Sequence, residues 1–493
     1  MAAAGAAPGK GHVKHATTTH QAAKGEHAGK AKHAPKKPKQ TAGAATTISV
    51  ADAPALNWGV ADDASKYAND GGSWFYGQLK GANLTENRWT LAWNPSNPTA
   101  ITELPFVQRA APIAQAAGIH VVIALYAGTN GTSTPDANHH DATAFCTWAK
   151  LVAQTVKVWG IRDFIVWNEP SSTLYWNPQK SGDSDVAAAP YENLLATCYD
   201  SLHSLDGGGW TANVIGMGLS AKASKNTSNQ PLAFLRDVGA AYKASGRATP
   251  IMDQLALHPY PFPSSTPSPD KGYTNTPDAY GPPDLDRVKQ AVYDAFNGTG
   301  QPTTLNGLTF RLDEFGWQTN QTGQPGYTGT ENAGPPGSAG AIDQATQSQY
   351  LQQAVQMFAC DATVTDVELF LLIDEANLAG WQSGLLTTGG EGVSTAKQAY
   401  GDLAPKFAQG RAACTTGVKT WSPAGSSGAG GNKGGGSGST GKGSGKGSAG
   451  KGTTGKSAGK SSGACTKKTK LKKGYVCKNG KVAKKAKPKP KKH

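Results

Sequence analysis

From about residue 47 the chain alternates short apolar runs with longer segments whose apolar residues recur every three or four positions, the periods of buried strands and amphipathic helices. Strand-like runs fall at Leu56–Ala61, Thr90–Trp93, Ile119–Tyr126, Phe164–Trp167, Val214–Leu219, Gln254–His258, Leu308–Leu312 and Val367–Ile373. Helical patterns occupy Leu104–Ala117, Ala142–Trp159, Tyr191–Leu205, Leu232–Lys243, Leu285–Phe296 and Gln344–Phe358, with a last one near Thr395–Leu403. The runs are apolar on both faces, as strands covered by helices must be. Eight strand–helix units predict an α/β fold, a (β/α)8 TIM barrel, in preference to an open doubly wound sheet. Long polar loops at Ser171–Ala188, Pro261–Gly281 and Thr319–Gly340 all follow strands, on the side where a barrel builds a cleft.

Outside residues 47–415 the pattern disappears. Residues 1–46 are Ala, Gly, Lys, His and Thr with almost no large apolar side chain, a disordered composition. Residues 416–463 form a Gly/Ser/Lys linker, and 464–493 a Lys-rich tail. Charge follows the same boundaries: the formal total is +14, but the two tails carry +7 and +20, leaving −13 on residues 47–415. The basicity therefore says nothing about what the central domain binds, and an acidic domain argues against a specific nucleic-acid partner.

Six cysteines are too few for a disulfide scaffold, and none is spaced Cys-x-x-Cys, so no metal or cofactor is implied. Cys465 and Cys477 bracket a short tail segment where no core would bury them, which predicts a local disulfide and an oxidising compartment. Cys146, Cys198, Cys360 and Cys414 lie in or beside apolar helical patterns, where buried thiols and bridges are equally open. No run of 18 apolar residues exists to span a membrane, and the N-terminus lacks the apolar stretch of a signal peptide.

The candidate chemistry sits where strands break. Phe164-Ile165-Val166-Trp167 stops at Asn168-Glu169-Pro170, and 145 residues after Glu169 a second strand stops at Asp313-Glu314-Phe315-Gly316. Glu169 ends the fourth strand and Glu314 the seventh, so a barrel would aim both into one mouth. Two carboxylates flanking a cleft are what glycosidic cleavage requires, one as acid for the leaving oxygen and one as base or nucleophile.

These residues resemble the retaining glycoside hydrolases of clan A, most closely the cellulase-like family 5, with families 39 and 42 as relatives. The resemblance spans about 365 residues of the barrel. It implies that Glu169 is the acid/base and Glu314 the nucleophile, with carboxyl groups about 5–5.5 Å apart. It further implies that Asn168 holds the sugar 2-hydroxyl, that Arg88, followed by Trp93, supports the nucleophile, and that Tyr260 of His258-Pro259-Tyr260 hydrogen-bonds it. Trp381 would be the platform under the sugar. Trp58, Trp93, Trp167, Trp176 and Trp317 also suit stacking on sugar faces, although packing is the plain alternative for any tryptophan. Tyr126 stands where family 5 carries a histidine, and Asp313 where a glycine often precedes the nucleophile; strand alternation predicts that Asp313 points away from Glu314.

The function expected is double-displacement hydrolysis of a β-linked oligo- or polysaccharide by an extracellular or cell-surface monomer. Its lysine tails would hold it near anionic envelope polymers. The alternative is a glycan-binding protein on an inactive barrel, which needs aromatics but no acid pair.

Overall fold

The computed structural model describes residues 46–127, 141–223, 227–261, 266–330 and 340–424, together with the backbone of 475–478 and 481–484. Eight strands close a parallel barrel: β1 (Asn57–Ala61), β2 (Glu86–Trp93), β3 (His120–Ala127), β4 (Asp163–Val166), β5 (Asn213–Ser220), β6 (Gln254–His258), β7 (Thr309–Phe315) and β8 (Val364–Leu369). Each pairs with its neighbours in sequence, and β8 returns to β1. Around them run α1 (Ser73–Gly81), α2 (Leu104–Ala117), α3 (Ala142–Val156), α4 (Ala188–His203), α5 (Pro231–Ser245), α6 (Leu285–Phe296), α7 (Gln344–Ala359) and α8 (Gln398–Gln409). The expected (β/α)8 barrel is thus the observed fold.

Local chemistry sets several helix ends. Asp141 and Asp343 accept hydrogen bonds from Ala144 and Thr346 N–H at 3.0 and 2.7 Å, starting α3 and α7. Gly118 and Gly246, at φ 72°, end α2 and α5 in the left-handed conformation that costs glycine least. Helix α1 has no counterpart in the sequence pattern. Its Ser-Trp-Phe-Tyr-Gly start has poor intrinsic helix propensity, and burial of Phe75, Tyr76 and Leu79 overrides it.

Several strand boundaries also moved, two of them for visible reasons. β2 begins at Glu86, four residues before the predicted Thr90, because Glu86 and Arg88 are buried yet polar. β8 ends at Leu369 instead of Ile373: the backbone N–H groups of Leu372 and Ile373 donate to Asp62 Oδ2 at 3.0 and 3.1 Å, not to a neighbouring strand.

Only part of the barrel interior is hydrocarbon. Val122, Ala124, Ile165, Ile215 and Ala256 form one small apolar cluster. At the end where the strands begin, Arg311 on β7 pairs with Glu86 at 3.0 Å and Asp366 at 3.2 Å, contacts Glu368, and donates to Gln254 Oε1 at 3.1 Å. His120 bridges Glu86 and Asp163, 2.7 Å from each. Burial opposes a charge on His120, but its bonds to Asp163 and Glu86 win and raise it to about 10.

On the outside, disulfides join Cys146 of α3 to Cys198 of α4, and Cys360 after α7 to Cys414 after α8, so these four cysteines are bridges and not thiols. The chain stays in the domain past residue 415, since Val418–Lys419 pairs antiparallel with Thr47–Ile48. Tyr475–Lys478 and Lys481–Lys484 form a separate antiparallel hairpin. Cys465, and with it the expected Cys465–Cys477 bridge, lies outside the described residues. Among the described residues, no helix is long and apolar enough to cross a membrane.

Two outcomes follow from this architecture. A Cys360→Ser, Cys414→Ser double variant, opening a loop with a sequence separation of 54 residues, should lose about 2–4 kcal/mol in chemical denaturation at pH 7. His120 is raised above its unfolded value of about 6.5; its contribution is therefore full below that pH and lost as the pH rises towards 10. Denaturation midpoints of His120→Gln should accordingly fall less between pH 6.5 and 10 than those of the wild type.

Candidate active site

The fourth strand ends under strain. Trp167 and Glu169 have φ of 74° and 42°, left-handed values that cost a side-chain-bearing residue about 1–3 kcal/mol each. Packing holds them there. The Trp167 indole donates to Tyr175 O at 3.0 Å and sits 5.3 and 5.2 Å from the rings of Phe145 and Trp176. Glu169 N–H donates to Gly218 O at 2.9 Å, and the Tyr191 hydroxyl clamps the strand end by donating to Val166 O at 2.9 Å.

The second carboxylate reaches the same mouth from β7. Arg88 Nη1 donates to Glu314 Oε1 at 2.6 Å and Nη2 to Asn168 Oδ1 at 3.3 Å, while Nε lies 3.5 Å from Asp313 Oδ2. The Tyr260 hydroxyl donates to Glu314 Oε2 at 3.1 Å. His258 Nδ1 is 2.9 Å from Glu169 Oε1 and 3.6 Å from Glu314 Oε2, so these two oxygens lie no more than about 6.5 Å apart, the total of the two distances. The structure thus brings Arg88, Asn168, Glu169, His258, Tyr260 and Glu314 together.

Asp313 does not point away from this group. Asp313 faces the barrel interior in step with Arg311 and lies fully buried 3.2 Å from His258 Nε2, while Glu314 leaves the alternation where the register of β7 against β8 shifts between Leu312 and Phe315 and turns into the same mouth. Arg88 and His258 are consequently two cations held among three carboxylates. Burial opposes the charge of His258, yet Glu314, Asp313 and Glu169 raise it well above the ordinary histidine range. For Asp313 burial works upward, but His258 and Arg88 hold its carboxyl below the usual value. Glu169 is pushed the other way: burial, helped by the charges of Glu314 and Asp313, outweighs His258 and raises it.

Above the group opens a cavity of about 1050 Å³, the scale of a small-molecule or oligomer site. Asn168, Glu169, Glu314, Arg88, Tyr126 and Trp381 line it. Trp381 is half-buried, its ring 5.3 Å from Tyr260 and tilted by 32°, and its backbone N–H donates to Glu375 Oε2 at 2.8 Å. Tyr126 packs edge-on against Tyr175 at 5.8 Å, and burial pushes its hydroxyl up to about 12.

Trp93 is a correction. It is 2% exposed, lies outside the cavity lining, donates its indole N–H to Pro98 O at 3.4 Å and packs edge-on against Phe145 at 5.5 Å. Trp58, Trp167, Trp176 and Trp317 are likewise core residues. Alternation explains Trp93: Arg88 and Thr90 line the cavity, and an odd number of steps later the side chain faces the helices.

The sequence reading missed Asp62 and Asp63, cavity residues just after β1, and Tyr175. An acid pair ending a strand was a usable signal for the first two, by the reasoning that found Glu169. Tyr175 sits beside Trp176 in one loop, and nothing in the sequence told which ring turns inward.

No family model and no curated protein matches this sequence. Solved structures do share the barrel. A family 39 glycoside hydrolase from Bacteroides cellulosilyticus aligns with a TM-score of 0.50 and 17% identity, covering 72% of this chain and 64% of that one. A β-xylosidase from Caulobacter crescentus aligns at 0.46 with 14% identity, over 71% and 68% of the two chains. A family 1 β-glucosidase from Thermotoga maritima aligns at 0.45 with 10% identity, over 72% and 97%. The first shows the fold, and this chain spans less than two-thirds of that enzyme's length. That likeness shows the barrel fold alone, and kinship with clan A or with family 5 rests on the motif resemblance.

Arg88 is the element whose loss the site should tolerate least. Arg88→Met would leave Glu314 and Asp313 buried without their shared cation and should cost about 3–5 kcal/mol, read from denaturant unfolding at pH 7.

Proposed function

We propose that this chain is a retaining glycoside hydrolase that cleaves β-linked bonds of an oligo- or polysaccharide. The observation that carries the reading is the treatment of two carboxyl groups at one imidazole nitrogen. Glu314 accepts from Arg88 and Tyr260, which fix its carboxyl group for attack, while Glu169 is raised by burial and suited to hold a proton. Their closeness fits the separation of a covalent mechanism better than the wider gap that leaves room for an attacking water.

In the first step Glu314 attacks the anomeric carbon as the bond to the leaving oxygen breaks, and Glu169 gives that oxygen its proton. The product is a glycosyl ester on Glu314 and an ionised Glu169. In the second, Glu169 takes a proton from water, the water oxygen bonds to the anomeric carbon, and Glu314 leaves as a carboxylate. Asn168, whose Oδ1 is engaged by Arg88, turns its amide N–H groups to the sugar 2-hydroxyl. Trp381 and Tyr260 supply a sugar-facing aromatic corner.

The reading extends to the rest of the chain as part of the same proposal. The catalytic domain runs from residue 47 past 415 through the Val418–Lys419 strand, the Gly/Ser/Lys stretch up to 463 is a linker, and the lysine-rich ends contact anionic envelope polymers. Two disulfides suit an extracellular setting, and the chain acts as a monomer.

Proton NMR of the first product from an aryl β-glycoside should show the β anomer, and an α anomer would sink the mechanism. Glu169→Ala should slow hydrolysis of a poor leaving group about 10²–10⁴-fold. It should leave the first step on a dinitrophenyl glycoside, which needs no acid, nearly unchanged.

A further inference from the structure

Asp313 is part of no step above, yet its carboxylate is fully buried against the machinery. Its contacts are specific: Oδ2 meets His258 Nε2 at 3.2 Å and Arg88 Nε at 3.5 Å. The other ring nitrogen of His258 meets Glu169 Oε1 at 2.9 Å. With the Glu169 proton on Oε2, or with Glu169 ionised, the ring has an oxygen acceptor at each nitrogen and donates from both only as the imidazolium. Glu314 Oε2, 3.6 Å from Nδ1, is the third carboxylate against the ring, and among the described residues the other groups packed on it are uncharged. From β5, Gly218 approaches the ring, a Cβ there being 3.4 Å from Nε2; Tyr280 accepts the His258 backbone N–H at 3.2 Å; and Tyr260 is turned to Glu314.

The charge balance matters because the proposed reaction moves a charge across His258. When Glu314 becomes a neutral ester its negative charge is replaced by that of the newly ionised Glu169, and the second step reverses the exchange, while Asp313 stays ionised throughout. We infer that Asp313 is a positioning residue: acting through His258, it keeps the imidazolium in place through both half-reactions, so that Glu169 alone exchanges the proton. The inference rests on the retaining reading, and it places a permanent counter-ion beneath the site instead of a third catalytic acid.

Asp313→Asn tests it, since the side chain keeps its size and loses only its charge. Two effects on Glu169 then oppose each other. Losing the Asp313 charge would lower Glu169, while losing the closer His258 charge would raise it, and His258 is the larger influence. With a dinitrophenyl glycoside, where the second step limits turnover, the acid limb of the kcat profile should move up by about one pH unit. That corresponds to about a tenfold lower kcat on the limb. KM should fall in parallel, leaving kcat/KM near the wild-type value. A merely structural role would lower kcat/KM at every pH without moving the limb. A limb that stays in place or moves down overturns the inference.

A wild-type measurement covers a variant that does not fold. Nitrogen-15 histidine spectra of the free enzyme, and of the enzyme trapped with a 2-deoxy-2-fluoro glycoside, should show His258 as imidazolium in both from pH 5 to 8. A neutral ring in the trapped form refutes the role of Asp313. Trapping itself, read as a mass increase on Glu314, separates the two claims. Trapping with an unmoved limb removes Asp313 only, whereas no covalent adduct removes the retaining reading and this inference with it.

Discussion

Everything at the mouth of this barrel depends on one electrostatic constraint: three carboxyl groups crowd together, Asp313 fully buried and Glu169 and Glu314 partly so, and two cations must stand among them. Arg88 supplies one and touches Glu314, Asp313 and Asn168 at once. His258 supplies the other and touches Glu169, Asp313 and Glu314. Neither charge would be tolerated there alone, and neither would the acids. The same arrangement recurs at the opposite end, where Arg311 stands among Glu86, Asp366 and Glu368. The interior is thus largely a column of compensated charge, with the apolar cluster of Val122, Ala124, Ile165, Ile215 and Ala256 filling one part. Close packing outside the strands and ion pairing inside them divide the work of holding the barrel closed.

This division explains what could be read from sequence. The outer faces of the strands and the inner faces of the helices obey hydrophobic periodicity, so eight strands and seven of the outer helices were legible from spacing alone. The inward charged positions of β2 and β8 were not: Glu86, Asp366 and Glu368 carry no mark of burial until their partner Arg311 on β7 is known, and Arg88 was reached only through the motif resemblance. Helix α1 was hidden for the converse reason, its stability coming from burial of aromatics on a segment of poor propensity.

The site itself was legible to the extent that chemistry sits at strand ends. Glu169, Glu314, His258 and Tyr260 announce themselves where an apolar run stops at a polar residue. The position of Asp313 relative to Glu314 was not legible, because alternation puts neighbours on opposite faces and the register shift at the end of β7 turns Glu314 to the same side as Asp313. The tryptophans were the least legible of all. An indole serves equally as core and as sugar platform, and only the direction of its Cα–Cβ bond distinguishes Trp93 from Trp381.

The distribution of those rings has an optical consequence. Of the twelve tryptophans, eight are buried and shielded from water, several in edge-on contact with another ring. Four are half-buried, Trp74, Trp159, Trp381 and Trp421, and of these only Trp381 lines the cavity. Most of the emission of the folded chain therefore comes from indoles in a dry, unchanging environment. Against that steady background, a molecule entering the cavity alters the surroundings of a single chromophore, and the protein carries a built-in reporter of its own occupancy.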